Sequence, residues 1–182
     1  MFRQPKVELG APSGADFESS APPSRPFWTA IGFEYATIDL GGYRDSIPLD
    51  LNTDQVPEKL RQQFDLVVNI GTTEHVANQA QAFRIIHDLT KMGGLMFHEV
   101  PAGSWNHGLI NYTPKFFMLL QKQNDYEQVY LQERTEGDMF IRVALRKRLK
   151  REFVTPLDVP PEIMPLKHRQ PWRTIRRITR LP

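Results

Sequence analysis

The chain has 182 residues, of which 40% are hydrophobic and 24% charged, with a formal net charge of +2. That length and mixture fit one soluble globular domain with an extension. With no cysteine, the sequence excludes disulfides, thiol nucleophiles and Cys-type zinc sites, and no apolar run approaches the ~20 residues of a membrane span.

The small net charge hides an asymmetry. Residues 1–145 carry 12 Lys and Arg against 18 Asp and Glu, a net of −6. Residues 146–182 carry 11 against 3, a net of +8. The expected organisation is therefore an acidic domain over residues 1–147 and a basic, proline-containing tail over residues 148–182. The first ten residues, MFRQPKVELG, contain no apolar core of signal-peptide type, so the expected location is cytoplasmic.

Lys6 to Leu9 reads as a short first strand, followed by a Gly, Pro and Ser-rich loop over residues 10–26. Pro26 to Phe33 allows a short helix. Glu34 to Leu40 has strand propensity and ends in the turn GGYRD, and Ser46 to Leu51 is a further short strand. Glu58 to Gln63 allows one or two helical turns. Phe64 to Ile70 is continuously apolar apart from Asp65 and Asn69, as a central parallel strand covered on both faces should be. Residues 74–92 place Val76, Ala80, Phe83, Ile86 and Met92 close to helical spacing, and the pair Gly93-Gly94 is expected to end that helix.

Leu95 to Val100 is a strand closed by Pro101. After the polar loop AGSWNHGLINY, Thr113 and Pro114 read as the cap and first turn of a helix reaching about Asn124. Tyr126 to Gln132 and Met139 to Arg146 read as a closing hairpin. Alternation of this kind predicts an α/β fold: a mostly parallel, Rossmann-like sheet with helices on both faces and a C-terminal antiparallel hairpin.

The junction NIGTTEH, residues 69–75, is where the chemistry is expected. Ligands in open α/β sheets bind at the carboxyl ends of the strands. Gly71 has no side chain to keep a ligand away, and Thr72 or Thr73 can cap the next helix. Spacing alone leaves two readings level, a site and a mere cap.

The segment FDLVVNIGTTEHV, an amphipathic helix and LTKMGGLMFHEVP together resemble the central part of class I S-adenosylmethionine-dependent methyltransferases. The matching residues are Glu74, His75, Val76, Lys91, Gly93 and Gly94. The resemblance implies an S-adenosylmethionine donor and a set of residues to hold it. It assigns Glu8, Gly10 and Gly14 to the loop after the first strand, with Pro12 in place of the middle glycine. It assigns Asp39 to the ribose hydroxyls, and Asp50 with Leu51 to the adenine. Asn69, Gly71 and Thr72 complete the donor set. Carboxylates suit the ribose because each can accept two hydrogen bonds.

Methyl transfer needs a base only where the acceptor loses a proton. The candidates are His75, beside the donor, and His107, on the loop where acceptors sit in the resembling family. His98 lies inside a strand and reads as a core histidine. Trp105, Asn111 and Tyr112 are candidates for lining an acceptor pocket, whereas His87 and His168 read as structural or exposed. No His and carboxylate show metal-ligand spacing, so no metal is expected.

The acceptor implied is a small or sugar-like molecule. In the tail, Trp172, Ile175, Ile178 and Leu181 recur every third position among arginines. Residues 146–182 therefore suit an anionic membrane surface, with nucleic acid as the weaker partner. Two alternatives remain at this level. One is a nicotinamide-dependent oxidoreductase, which Pro12 disfavours because it occupies the place of the glycine that admits a pyrophosphate. The other is a catalytically inactive methyltransferase-like domain attached through its basic tail. The 29 residues from Gly10 to Asp39 and the short stretch before the first strand support it.

Overall fold

The computed structural model describes residues 4–9 by their backbone, and residues 24–42, 45–103, 107–134 and 139–155. Among these the order is β1 (Gln4–Leu9), α1 (Ser24–Ala30), β2 (Phe33–Asp39), β3 (Ile47–Pro48), β4 (Phe64–Ile70), α2 (Gln79–Leu89), β5 (Thr90–Pro101), α3 (Pro114–Asn124), β6 (Glu127–Arg134) and β7 (Phe140–Arg146). They form one sheet in the order β3-β2-β1-β4-β5-β7-β6. The strands from β1 to β5 pair in parallel, and β7 enters antiparallel between β5 and β6. The mostly parallel, Rossmann-like sheet and its closing hairpin are as expected.

The strand order reverses at β1, which pairs with β2 on one side and β4 on the other. Ligands of open α/β sheets bind beside the carboxyl ends of the strands at such a reversal. A crevice there fixes where the site can be.

Both α2 and α3 lie on one face of the sheet. Phe83 of α2 and Phe117 of α3 each bring their rings to 5.4 Å from His98 of β5. On this face Val67, Met96, Val100, Ile141, Val143 and Leu145 are at most 2% exposed. Burial of side chains this size contributes about 1.5–3 kcal/mol each. The opposite face carries Leu66, Val68, Ile70, Leu95, Phe97 and Ala144, met by Trp28 of α1. Packing also continues beyond β7. Phe153 is buried in the core, and Asn124 exchanges two hydrogen bonds with the backbone of Val154 at 2.8 and 2.9 Å.

Two elements differ from the sequence reading. The helix expected over 74–92 begins only at Gln79, because Thr73 to His75 form a separate 3-10 turn and Asn78 accepts from Gln81 N–H as the true cap. It also stops at Leu89, and Gly93-Gly94 lie within β5. Gly94 is needed there for close approach: a Cβ would stand 3.0 Å from the Phe64 carbonyl. The strand between Ser46 and Leu51 shrinks to Ile47–Pro48, since Pro48 has no N–H to donate and Asp50 already begins a turn. Thr113 does precede α3, but its hydroxyl makes no capping bond.

Candidate active site

The turn after β4 is built on Asn69. Its side chain is fully buried and accepts from the Thr73 N–H at 3.2 Å. Its amide donates to Thr73 Oγ1 at 2.9 Å and to His98 Nδ1 at 3.1 Å. Tyr112, arriving from beyond β5, donates to Thr73 Oγ1 at 2.9 Å and bonds Gln79 Oε1. Gln79 in turn donates to the Thr73 and Val76 carbonyls. Buried polar groups demand partners, and here all but His98 Nε2 find them in one another. Burial pushes the His98 imidazole down to about 3 and the Tyr112 phenol upward.

With Asn69 so engaged, its side chain faces α2 and α3 rather than the crevice. Expected as a donor residue, it instead shapes the turn. Tyr112 and His98 belong to the same internal network. Asn111 is exposed.

The crevice itself is lined by Ile38, Asp39, Leu40, Leu49, Asp50, Leu51, Asn52, Thr72, His75 and Val76. Five of the expected site residues therefore meet: Asp39, Asp50, Leu51, Thr72 and His75. Asp39 is 8% exposed and accepts from Gly41 N–H at 2.8 Å. Asp50 accepts from the Asn52 N–H at 2.8 Å and from the Asn52 amide at 3.1 Å. These bonds, the backbone one first, hold its carboxyl below the usual range, so it is ionised at neutral pH. Asn52 also ties this loop to the segment after β4, accepting from Asn78 N–H at 3.1 Å. Ordered acids with apolar neighbours suit a ligand with hydroxyls at one end and a flat base at the other.

Gly71 has φ +63 and donates its N–H to the Glu99 carbonyl at 3.1 Å. Glu8 pairs with Thr37 and Val68 by backbone register, near the carboxyl end of β1. Gly10, Gly14 and Trp105 lie outside the described residues, as do His168 and the tail from 156 onward. His87 is buried, bonded to Tyr126 OH at 2.6 Å and to the Arg151 carbonyl at 2.8 Å.

Glu74 was not among the expected site residues. It is fully buried, and its Oε1 meets His107 Nε2 at 3.2 Å. The His107 ring in turn stands edge-on to His75, with centroids 5.2 Å apart. His75 and His107, the two expected catalytic histidines, are therefore adjacent at the mouth of the crevice. Sequence gave no signal for Glu74 beyond its place in the Glu-His-Val turn, because its partner is 33 residues away.

A family model described as a methyltransferase domain matches residues 6–152. No curated protein sequence matches the chain significantly. Solved structures do. One is the 1,6-didemethyltoxoflavin-N1-methyltransferase of Burkholderia thailandensis, determined with S-adenosylhomocysteine bound. It is 14% identical with a TM-score of 0.57, over 80% of this chain and 72% of that one. A second is the CMeT domain of the citrinin polyketide synthase, 13% identical with a TM-score of 0.60, over 80% of this chain and 47% of that one. A third is an S-adenosylmethionine-dependent methyltransferase of Mesorhizobium loti, 14% identical with a TM-score of 0.58, over 79% of this chain and 91% of that one. At such identities the likeness establishes the fold.

Proposed function

The chain belongs to the methyltransferase-domain family, and from that premise we propose that it takes its methyl group from S-adenosylmethionine and passes it to a small or sugar-like acceptor held beside His75 and His107. The observation that carries this reading is the meeting of Asp39, Asp50, Thr72 and His75 on one crevice at the point where the strand order reverses.

Each side chain has a role that its chemistry supports. Asp39 ends β2 and presents a carboxylate to two neighbouring hydroxyls, as a ribose offers. Asp50 accepts from a donor at the edge of a base, while Ile38, Leu49, Leu51 and Val76 supply apolar surface to its faces. S-adenosylmethionine held by these residues would supply an activated methyl group, the sulfonium sulfur leaving with the electron pair as the acceptor's lone pair bonds the methyl carbon. Alignment of the two reactants supplies much of the rate. His75 touches both the donor crevice and His107, so the acceptor's attacking atom is aligned from that side.

The described helices include none long and apolar enough to cross a membrane. For the basic segment 146–182 the reading is attachment to an anionic surface, supported by its 11 Lys and Arg against 3 Asp and Glu. Lys147 takes no part in it. It is 1% exposed, and its ammonium donates to the His87 and Thr90 carbonyls at 2.8 and 3.0 Å.

Calorimetric titration with S-adenosylhomocysteine tests the donor half of the proposal. The expected result is micromolar binding by the chain and a loss of about tenfold or more in Asp39→Ala, the ~1.4 kcal/mol or more of one charge-assisted hydrogen bond. Unchanged binding by Asp39→Ala would remove the ribose role from this residue.

A further inference from the structure

We propose that Glu74, His75 and His107 form a binding site for a divalent cation of the first transition row, placed to hold an oxygen of the methyl acceptor. The acceptor role rests on the methyltransferase reading above; the cation site does not.

The donor atoms of the three side chains all lie within 4.8 Å of one another. One pair, Glu74 Oε1 and His107 Nε2, is at 3.2 Å. Ligands bound at about 2.0–2.2 Å in tetrahedral or octahedral geometry stand about 3–3.5 Å from each other. A small contraction of the set therefore brings three ligands to one cation.

The second observation is the state of Glu74. Its side chain is fully buried, yet Oε2 has no hydrogen-bond partner and Oε1 has only the half-exposed imidazole of His107. A buried carboxylate in this condition is costly unless a cation or further donors compensate it. Its backbone is held from the loop after β5. Leu109 and Ile110 N–H groups both hold the Glu74 carbonyl, at 2.7 and 3.1 Å. Gly108 presses on the side chain so closely that a Cβ there would stand 2.6 Å from Glu74 Cγ. On the other side Gly71 leaves space, since a Cβ would stand 3.5 Å from Oε1. Glu74 is thus aimed at the two histidines by the loop that also delivers His107.

The ligand types select the cation. Two imidazoles and one carboxylate suit Zn²⁺, Mn²⁺, Fe²⁺ or Co²⁺, whereas Ca²⁺ and Mg²⁺ prefer oxygen alone. Three protein ligands leave coordination positions free, as in catalytic rather than structural sites. His107 is 49% exposed at its side chain, so those positions face solvent. His75 also lines the donor crevice, so they are close to the donor as well. A cation so placed binds an acceptor through oxygen and lowers the pKa of a bound hydroxyl. That assigns the acceptor a class: a molecule that presents a hydroxyl able to ligate a metal. Under this assignment His107 Nε2 is a ligand, not the proton acceptor.

Manganese chloride is the probe. The full chain, freed of metal with a chelator, is titrated with Mn²⁺ while the electron paramagnetic resonance signal of free Mn²⁺ is followed. The expected result is one Mn²⁺ bound per chain, displaced by Zn²⁺. Both Glu74→Gln and His107→Ala should lose about tenfold or more in affinity, a loss that even groups one contact removed from a metal produce. Because Glu74 is buried, Glu74→Gln can fail to fold; His107→Ala changes a half-exposed side chain and keeps the test decisive. Titration with S-adenosylhomocysteine on the same preparations reports the donor crevice separately. A chain that binds S-adenosylhomocysteine but no Mn²⁺ would overturn the cation site and leave the methyltransferase reading intact. Mn²⁺ binding that His107→Ala leaves unchanged would overturn it equally.

Discussion

Two polar clusters share the turn after β4, and they are finished differently. The inner one, Asn69, Thr73, Gln79, His98 and Tyr112, is closed: its side chains bond one another, and His98 Nε2 alone is left over. The outer one, Glu74, His75 and His107 with Asp39 and Asp50 nearby, is open, with a buried carboxylate oxygen left unpaired and two imidazoles reaching solvent or the crevice. Neighbouring residues of one short segment thus go to opposite clusters. The inner set sets the shape of the turn, and the outer set is held out by that shape for a ligand.

Acid should break the buried interior, the closed cluster included, first. His98 and His87 are held neutral by burial, their pKa values lowered to about 3 and about 4 from 6.5. Between those values and 6.5 the unfolded chain binds more protons than the folded one, so stability rises with pH through this window. On acidification from pH 6.5 to 4, each histidine costs up to roughly 3 kcal/mol. Thermal melts across that range should show a steep fall in Tm. A flat profile would mean that these imidazoles are not desolvated as described.

Asn69→Ala should have the next largest effect. It leaves the buried Thr73 N–H and His98 Nδ1 without their partner, at a cost of about 1–3 kcal/mol. For a chain of this length that is a fall of roughly 2–12 °C in Tm. His75→Ala belongs to the open cluster and should alter stability by only about 0.5 kcal/mol while weakening donor binding. Calorimetric melts of the two variants, side by side, sharpen the contrast. Equal losses would show that His75 too is structural.

The sequence was readable where one local rule decides the outcome. The apolar run Phe64 to Ile70 is β4 to the residue, and proline at its first turn marks α3 from Pro114. It misled where tertiary contact overrode a local preference. Gly93-Gly94 has the look of a helix stop, but close approach to the Phe64 carbonyl requires glycine inside a strand. Residues 74–78 have helical spacing, but the bonds of Thr73 and Glu74 to distant partners consume them. The site divides in the same way. Asp39, Asp50, Leu51, Thr72 and His75 sit at strand ends, where topology alone places ligand residues. Which way Asn69 points, and that Glu74 meets His107, depend on the loop after β5 folding back, which no local spacing records.

The most direct test of the account is an amide chemical-shift map of the isotope-labelled chain titrated with S-adenosylhomocysteine. The account predicts that the largest shifts fall on Gly41, Leu51, Asn52, Thr72 and His75, around the crevice. Shifts centred instead on Leu66, Phe97 and Ala144, across the opposite face of the sheet, or none at all in a folded chain, would contradict it.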